Sequence, residues 1–418
     1  MKTIVRLAPK EFAPMYIELD AKGLPSGVYN TLVYLKEATP GYEDLKFALE
    51  VEVTDLDVAG VKLDKAGYDY AGRSFADRKE AKGGLVKFLC ARDYNTAYIA
   101  AMRFSPKADK EGKFAMRSYE AFDRQIEEYL KHVAREDLKL WIYMVAEKHW
   151  YDPCDYRGER FPFGSEKWAE GVRFMVKNVK EHVKAKYGIG PDRIWWYTVD
   201  EPSGPIVDPT WKSKIAIAYR LAQEIKRESP ENLTMTDPLP NFLASKDIDE
   251  ALTKFRECYD IIELYRPGIT EKTKALMERL KFPQVWTYSI VTKETPAANY
   301  RRDYWMNMRD GYREIATYWH MTQAAGGDAF DSSDWNSPGH LDDYATLYCN
   351  ADVEDSILSR RQLQCDQGFW DMQIIAALRA KYAGNAEKLA AIAEIIREAA
   401  DIGTVRAMDD ARNRLLEF

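Results

Sequence analysis

Hydrophobic and polar residues alternate strictly near the start of the chain. In Ala48–Thr54 every second side chain is Leu or Val and the two between them are Glu, which predicts a strand with one apolar and one acidic face. The segment Val28–Leu35 follows a Pro-Ser-Gly turn and is rich in Val, Leu and Tyr, so it predicts a second strand. Only about four strands fit into residues 1–58, fewer than the roughly seven of a complete sandwich. We therefore expect a small, partial antiparallel β-sandwich there.

From about residue 59 the pattern changes, and strand-like apolar runs alternate with amphipathic helical periods. One helix carries Phe122, Ile126, Tyr129 and Val133 at helical spacing. A second helix stops near Gly188 and carries Trp168, Val172, Met175, Val179 and Val183. The predicted strands are Ala66–Tyr70, Thr96–Met102, Leu138–Val145, Ile194–Val199, Leu233–Thr236, Tyr259–Leu264, Gln284–Ile290 and Asp328–Ser332.

Strand–helix alternation of this kind predicts an α/β protein with a parallel sheet, and eight repeats can close into a (β/α)8 TIM barrel. We place this barrel at residues 59–383. The structural alternative is an open doubly wound sheet, but no glycine-rich phosphate loop follows the early strands. Periodic apolar positions in Ser359–Ala383 and Asn385–Ala400 predict closing helices and a short helical tail at residues 384–418.

Composition and charge indicate which kinds of partner and cofactor to expect. The chain has a net charge of −7, no basic stripe and no apolar run of the length of a membrane helix, so neither nucleic acid nor a membrane is expected. Eleven Trp and twenty-six Tyr suit the faces of sugar rings, although large cores use aromatic residues too. Five dispersed cysteines predict no disulfide framework or zinc site, and no cofactor is implied. The N-terminus lacks a signal peptide, which predicts a cytoplasmic protein or one whose leader has been removed, and the oligomeric state is left open.

Two adjacent carboxylates follow the fourth predicted strand. The apolar run Ile194–Val199 ends directly in Asp200-Glu201-Pro202, and barrel enzymes carry their working residues at such strand ends. Because like charges repel in a low dielectric, one of the two acids tends to hold a proton near neutral pH, as a general acid must. Both acids reach one pocket only if the chain bends, and Pro202 favours a bend. The alternative is structural, with Asp200 capping the next helix and Glu201 meeting an arginine.

At this strand the chain resembles glycoside hydrolase family 123 and the related domain of unknown function 4091. Four stretches are similar to that family, in order and over most of the chain: PSGVYNTLVYL with LEVEVTDLDV, WWYTVDEPSG, VWTYSIVTKETPAANYRRDYWMNMRDGYREIATYWH and SILSRRQLQCDQGFWDMQIIAAL. The resemblance implies a retaining β-N-acetylgalactosaminidase that works by substrate assistance. The substrate's acetamido oxygen would attack the anomeric carbon and form an oxazoline, with Glu201 as the general acid/base and Asp200 orienting the acetamido nitrogen.

The chain departs from the family pattern in three places. The eighth strand reads GGDAFDSSDW in place of a paired aromatic, the closing helix reads Cys365-Asp366-Gln367-Gly368 in place of Arg-Asp-Gly, and the leading sandwich is short. These differences bear on which sugar is cleaved more than on the type of reaction.

Further residues at strand ends are predicted to bind the carbohydrate substrate. Trp286 and Tyr288 share a face near the end of strand seven, where they would wall the subsite or donate to the acetamido carbonyl; packing against a helix is the alternative. The other predicted ligands are Tyr265, Asp237, Trp335, Glu147 and His149.

Two other functions are compatible with the sequence. A two-carboxylate retaining glycosidase would use Glu201 as the acid/base and a nucleophile on a later strand, for which Glu263 and Glu294 are candidates. A catalytically inactive carbohydrate-binding barrel is the non-enzymatic possibility, although the intact pair of acids argues against it.

Overall fold

A computed structural model describes most of the chain. The described residues are 19, 23–35, 43–58, 60–67, 84–101, 104–144, 155–156, 159–161, 163–209, 213–238, 248–289, 295–312, 346–348 and 357–418. The predicted eighth strand, Asp328–Ser332, and most of the first, Ala66–Tyr70, lie outside them.

The centre of the fold is a six-stranded parallel sheet. Its strands are β3 (Thr96–Ala100), β4 (Lys139–Tyr143), β5 (Ile194–Tyr197), β6 (Leu233–Thr236), β7 (Ile261–Tyr265) and β8 (Gln284–Tyr288). They lie in the order β8-β7-β6-β5-β4-β3, and every neighbouring pair is parallel. Six of the eight predicted strands are thus confirmed. Within these six the order never reverses, whereas a doubly wound sheet has a reversal point.

Helices lie between successive strands of the sheet, and further helices follow its last strand. They are α1 (Gly84–Cys90), α2 (Glu120–Leu130), α3 (Glu166–Tyr187), α4 (Lys214–Glu228), α5 (Ile248–Phe255), α6 (Glu271–Leu280), α7 (Ala297–Arg309), α8 (Arg360–Lys381), α9 (Ala386–Ile402) and α10 (Val405–Leu416). None of these described helices is both long and apolar enough to cross a membrane. The prediction for α2 was one turn too long, because Val133 lies beyond its end.

Capping residues set both ends of α3. Helix α3 begins after Ser165, whose Oγ accepts a hydrogen bond from the Trp168 amide at 3.2 Å. It ends at Gly188, whose φ of 66° only glycine adopts at little cost and whose amide donates to the Lys184 carbonyl. The predicted stop near Gly188 is therefore confirmed.

The sheet curves around an aromatic interior. Trp141 on β4 and Trp286 on β8 are four strands apart in the sheet order, which in a flat sheet corresponds to about 19 Å. Their ring centroids are only 6.3 Å apart, edge to face. Trp195 on β5 also meets Trp286, at 5.0 Å. The sheet is therefore strongly curved, and its concave face consists of Ala66, Tyr98, Trp141, Tyr143, Trp195, Tyr197, Met235, Ile261, Trp286 and Tyr288.

The N-terminal segment forms an antiparallel ribbon. Strands β1 (Gly27–Leu35) and β2 (Leu45–Val53) pair from Gly27↔Val53 to Leu35↔Leu45, so both predicted strands are confirmed. The rest of the predicted sandwich falls largely on residues outside the described part. Three further pairs of two-residue strands occur: Lys107–Ala108 with Phe114–Ala115, Asp155–Tyr156 with Glu159–Arg160, and Leu347–Tyr348 with Ile357–Leu358.

A buried ion-pair network joins α7 to the C-terminal helices. Arg301 of α7 is 0% exposed and its Nε lies 2.6 Å from Asp371 Oδ2 of α8. The Trp305 indole N–H donates to the same oxygen at 2.7 Å, and Arg412 of α10 pairs with Oδ1. Asp371 is thus the shared acceptor that fixes three helices to one another.

Removal of that acceptor should destabilise the fold. Asp371→Ala leaves the Arg301 guanidinium buried with only Asp409 as a partner, so we expect the free energy of unfolding to fall by about 3–5 kcal/mol. Urea denaturation measures the change. The control is Glu394→Ala, which breaks an exposed pair with Arg397 and should leave the midpoint unchanged. Equal midpoints for the two variants would contradict this account.

Candidate active site

The turn that ends β5 carries the two predicted acids. After Tyr197 the backbone still follows β6, because the Thr198 amide donates to the Met235 carbonyl at 3.1 Å and Thr236 Oγ1 donates to the Val199 carbonyl at 3.0 Å. The chain then turns at Glu201, whose φ is 46°. A non-glycine residue in this left-handed region costs roughly 1–2 kcal/mol, so neighbouring contacts must hold it there.

Hydrogen bonds from two other strands hold Glu201. Its amide donates to Asp237 Oδ1, at the end of β6, over 2.9 Å. Its carboxylate Oε1 accepts the Tyr288 hydroxyl of β8 over 2.8 Å. The half-buried side chain of Glu201 is therefore fixed from both sides.

Asp200 reaches the same interior from the preceding position. Its Oδ1 accepts the Tyr197 hydroxyl at 2.8 Å, and the Lys214 ammonium bonds its carbonyl oxygen at 3.2 Å. Burial, followed by the like charge of Glu201, raises the pKa of Asp200 to about 6, against the opposing effects of Tyr197 and Lys214. Near neutral pH this carboxyl is thus close to its own titration point.

The structural alternative for this pair is wrong. The next helix, α4, is capped by Ser213, whose Oγ accepts the Ala216 amide, and not by Asp200. Within the described residues, the carboxylate of Glu201 bonds the Tyr288 phenol and no arginine. Both acids instead contact tyrosines of the concave face.

Two more carboxyls lie beneath the pair. Asp237 and Glu263 are both 0% exposed. Burial, then the charges of Asp200 and Glu263, raises the pKa of Asp237 well above its usual range. Glu263 stands beside Trp286 in the β7–β8 register. The site is therefore a cluster of four acids set in an aromatic interior.

Aromatic side chains line the concave face around these four acids. Tyr265 lies opposite Tyr288 in the register, with ring centroids 5.2 Å apart, and it is only partly buried. Trp286 shares the face of Tyr288, as predicted, but it is fully buried one step deeper. Tyr143 stacks on Tyr197 at 5.2 Å.

Of the predicted site residues, the structure brings together Asp200, Glu201, Asp237, Tyr265, Trp286 and Tyr288. Trp335, Glu147, His149 and the alternative nucleophile Glu294 lie outside the described residues. In the part of the chain that is described, no group of three or more His, Cys, Asp and Glu side chains is arranged to hold a metal ion.

Sequence reasoning missed Tyr197 and Lys214. Tyr197 is detectable in principle, because it alternates with Trp195 on one face of β5 and therefore points with it into the interior. Lys214 begins α4, and nothing in the sequence indicates that the chain between Glu201 and α4 returns this ammonium to Asp200.

Comparison with known proteins supports the fold. No family model and no curated protein matches the sequence. Among solved structures the chain is similar to a family 123 glycoside hydrolase from Clostridium perfringens, with a TM-score of 0.64 at 12% identity over 94% of this chain and 76% of that one. This likeness confirms, at the level of the fold, the resemblance seen in the sequence.

Weaker likenesses extend to other proteins. SrfJ from Salmonella typhimurium gives a TM-score of 0.46 at 13% identity, covering 73% of this chain and 74% of that one. A GH10 xylanase from Thermobacillus composti gives 0.44 at 12% identity, covering 76% of this chain and 100% of that one.

The raised pKa of Asp200 should appear as a pH-dependent stability. Because the folded state binds this proton more tightly than the unfolded state, the stabilisation is complete below the ordinary pKa of 3.8 and is lost as pH rises through about 6. Asp200→Asn does not titrate, so its stability relative to wild type should increase by up to about 3 kcal/mol between about pH 4 and about pH 7.5.

Urea denaturation at the two pH values measures this difference. The matched control is Asp249→Asn on α5, whose side chain is 57% exposed and should show no such trend. A difference between Asp200→Asn and wild type that stays constant with pH would mean that Asp200 titrates normally in the fold.

Proposed function

We propose that this chain is a glycoside hydrolase, specifically a retaining β-N-acetylhexosaminidase of the N-acetylgalactosamine type that uses substrate assistance. The observation that carries the proposal is a pair of adjacent acids that each accept a tyrosine hydroxyl, Asp200 from Tyr197 and Glu201 from Tyr288. Among the described residues, the group that bonds the Glu201 carboxylate is thus a phenol and not a second carboxylate. Similarity to the Clostridium perfringens protein, which is described as hydrolysing glycolipid glycans, supports a carbohydrate substrate.

In the first step the substrate supplies its own nucleophile. Its acetamido oxygen attacks the anomeric carbon while the glycosidic C–O bond breaks, and Glu201 gives its proton to the leaving oxygen. Asp200 in its ionised form accepts the acetamido N–H, which strengthens the nucleophile and offsets the positive charge on the oxazoline ring. Glu201, now a carboxylate, keeps the Tyr288 hydroxyl as a hydrogen-bond donor.

In the second step water opens the oxazoline. Glu201 takes a proton from the water as its oxygen attacks the anomeric carbon, and the C–O bond to the acetamido oxygen breaks. Two displacements at one carbon retain its configuration. Each step moves one proton to or from Glu201, so the carboxyl returns to its starting state.

The two-carboxylate mechanism has less support. Its acids must lie about 5–5.5 Å apart, with both reaching the sugar. Tyr288 occupies the position facing Glu201, and Glu263 is fully buried beside Trp286, two residues before the Tyr265–Tyr288 pair. Glu294, outside the described residues, keeps this mechanism as the second candidate.

The remaining expectations from the sequence stay part of the proposal. Ala66–Tyr70 and Asp328–Ser332 would complete the six strands to an eight-stranded barrel over residues 59–383, with a partial sandwich at 1–58 and a helical tail at 384–418. Tyr265, being partly exposed beside Tyr288, would form a wall of the sugar subsite. Trp335, Glu147 and His149 would contribute from the loops.

Paired substrates test the mechanism. Wild type should hydrolyse the aryl 2-acetamido-2-deoxy-β-galactoside and not the plain aryl β-galactoside, since only the first carries the nucleophile. Glu201→Gln cannot donate a proton, so kcat for the acetamido substrate should fall about 10²–10⁴-fold. The control is Glu278→Gln, the same change on the exposed side of α6, which should match wild type.

The other outcomes are equally informative. Cleavage of the plain galactoside would overturn substrate assistance and direct attention to Glu294. Failure of wild type on both substrates, and on the corresponding glucosides, would leave a carbohydrate-binding protein as the better hypothesis.

The Tyr288 hydrogen bond should matter to catalysis. Tyr288→Phe removes a donor to a carboxylate, a contact worth about 1.5–3 kcal/mol, so kcat/KM should fall about 10–100-fold. Tyr219→Phe makes the same chemical change where the hydroxyl donates to Glu257, away from the site, and should have no effect. Equal kinetics for the two variants would remove Tyr288 from the mechanism.

A further inference from the structure

Asp237 ties the end of β6 to the turn at Glu201. It is 0% exposed, and its Oδ1 accepts the Glu201 amide over 2.9 Å. The residue before it, Thr236, bonds the Val199 carbonyl. The left-handed conformation of Glu201 sets the direction of its amide N–H. The hydrogen bond from this amide to Asp237 therefore holds the turn in that conformation.

The surroundings of Asp237 disfavour a negative charge. The charged groups that act most strongly on it are the carboxyls of Asp200 and Glu263, which approach from β5 and β7. The Lys214 ammonium of α4 acts on Asp200 instead. The hydroxyl of Tyr197 partly offsets the repulsion, but its single proton points to Asp200. Burial and like charges therefore outweigh the favourable contacts.

The second oxygen of Asp237 leads to the same conclusion. Oδ2 is buried and makes no hydrogen bond with any residue in the described part of the chain. A buried anionic oxygen without a donor is far more costly than a buried hydroxyl. A neutral acid keeps the other contact, since its carbonyl oxygen accepts a hydrogen bond from the Glu201 amide as a carboxylate oxygen does.

We propose that Asp237 is a positioning residue that works as a neutral carboxylic acid. One of its oxygens accepts the amide hydrogen bond that fixes the turn and so orients Glu201. Because the carboxyl is protonated, it adds no negative charge next to the acid pair. The proposal rests on the function assigned above to Glu201, through which Asp237 acts. It gives Asp237 a role other than the sugar contact expected from sequence, in keeping with its complete burial. An ionised Asp237 would instead oppose the ionisation of Asp200 that the acetamido N–H requires.

Two variants separate position from charge. Asp237→Asn keeps a carbonyl oxygen for the Glu201 amide and is neutral like the protonated acid, whereas Asp237→Ala removes the acceptor. We expect kcat of the Ala variant to fall about 10–100-fold with little change in KM, because Glu201 is misaimed. The Asn variant should recover at least tenfold in kcat over Ala, and the acid limb of its kcat/KM profile should coincide with that of wild type.

An ionised Asp237 gives a different result. Its replacement by Asn would remove a negative charge next to Asp200 and move the acid limb to lower pH by about one unit or more. That shift, or an Asn variant as slow as Ala, would overturn the proposal. Circular dichroism and the urea midpoint establish that each variant is folded before its kinetics are compared.

Infrared spectroscopy gives a readout that needs no substrate. In protein labelled with ¹³C at the Asp carboxyl, a protonated aspartic acid band should persist in wild type at about pH 8, where ordinary carboxyls are ionised, and should be absent from Asp237→Asn. A wild-type spectrum without that band would overturn the proposal even if no variant folds. If wild type cleaves none of the glycosides but shows the band, the proposed function fails while the neutral state of Asp237 stands.

Discussion

Adjacent residues of an extended strand point to opposite faces, so Asp200 and Glu201 share one site only because the backbone turns between β5 and α4. The turn places Glu201 at a φ of 46°, which the chain does not adopt without compensation. The Asp237 carboxyl holds the amide of Glu201 and the Tyr288 phenol holds its side chain. The geometry of the acid pair is therefore a property of three strands, β5, β6 and β8, and not of the dipeptide itself.

The aromatic interior determines how Asp200 and Asp237 titrate. Trp141, Trp195 and Trp286 meet edge to face beneath the site, and they exclude water without supplying charge. A carboxyl above such a layer loses hydration, and its pKa rises. The phenol of Tyr197 offsets part of that rise for Asp200, since it donates a hydrogen bond to Asp200 Oδ1. The aromatic side chains that pack the interior of the sheet thus also set the pKa of Asp200.

The sequence predicted the elements and the acid pair better than it predicted the contacts between them. Six strands were identifiable because buried parallel strands read as short apolar runs. The sixth predicted strand began two residues too early: Tyr259 precedes β7, and its hydroxyl bonds Thr198 and the Ala218 carbonyl outside the ladder. These contacts join residues 61 and 41 positions apart, and local periodicity carries no information on them.

The turn at Glu201 was expected from Pro202, yet its left-handed form was not. Glycine or asparagine normally indicates such a conformation, and glutamate gives no such indication. The partners Tyr197 and Lys214 were missed for a related reason. A hydrogen bond depends on where two chain segments end in space, and only the register of the sheet fixes that.

Helix α7 connects the stability of the fold to the geometry of the site. On one side its Arg301 is held by Asp371 of α8. On the other, Asn307 donates to Thr287 Oγ1 at 2.7 Å and accepts from Arg266 at 3.1 Å. Thr287 immediately precedes Tyr288, so the helix braces the strand from its outer face while the phenol works on the inner face. The C-terminal helices therefore act on the active site through α7, because they fix α7, and α7 fixes the strand that carries the hydroxyl donor to Glu201.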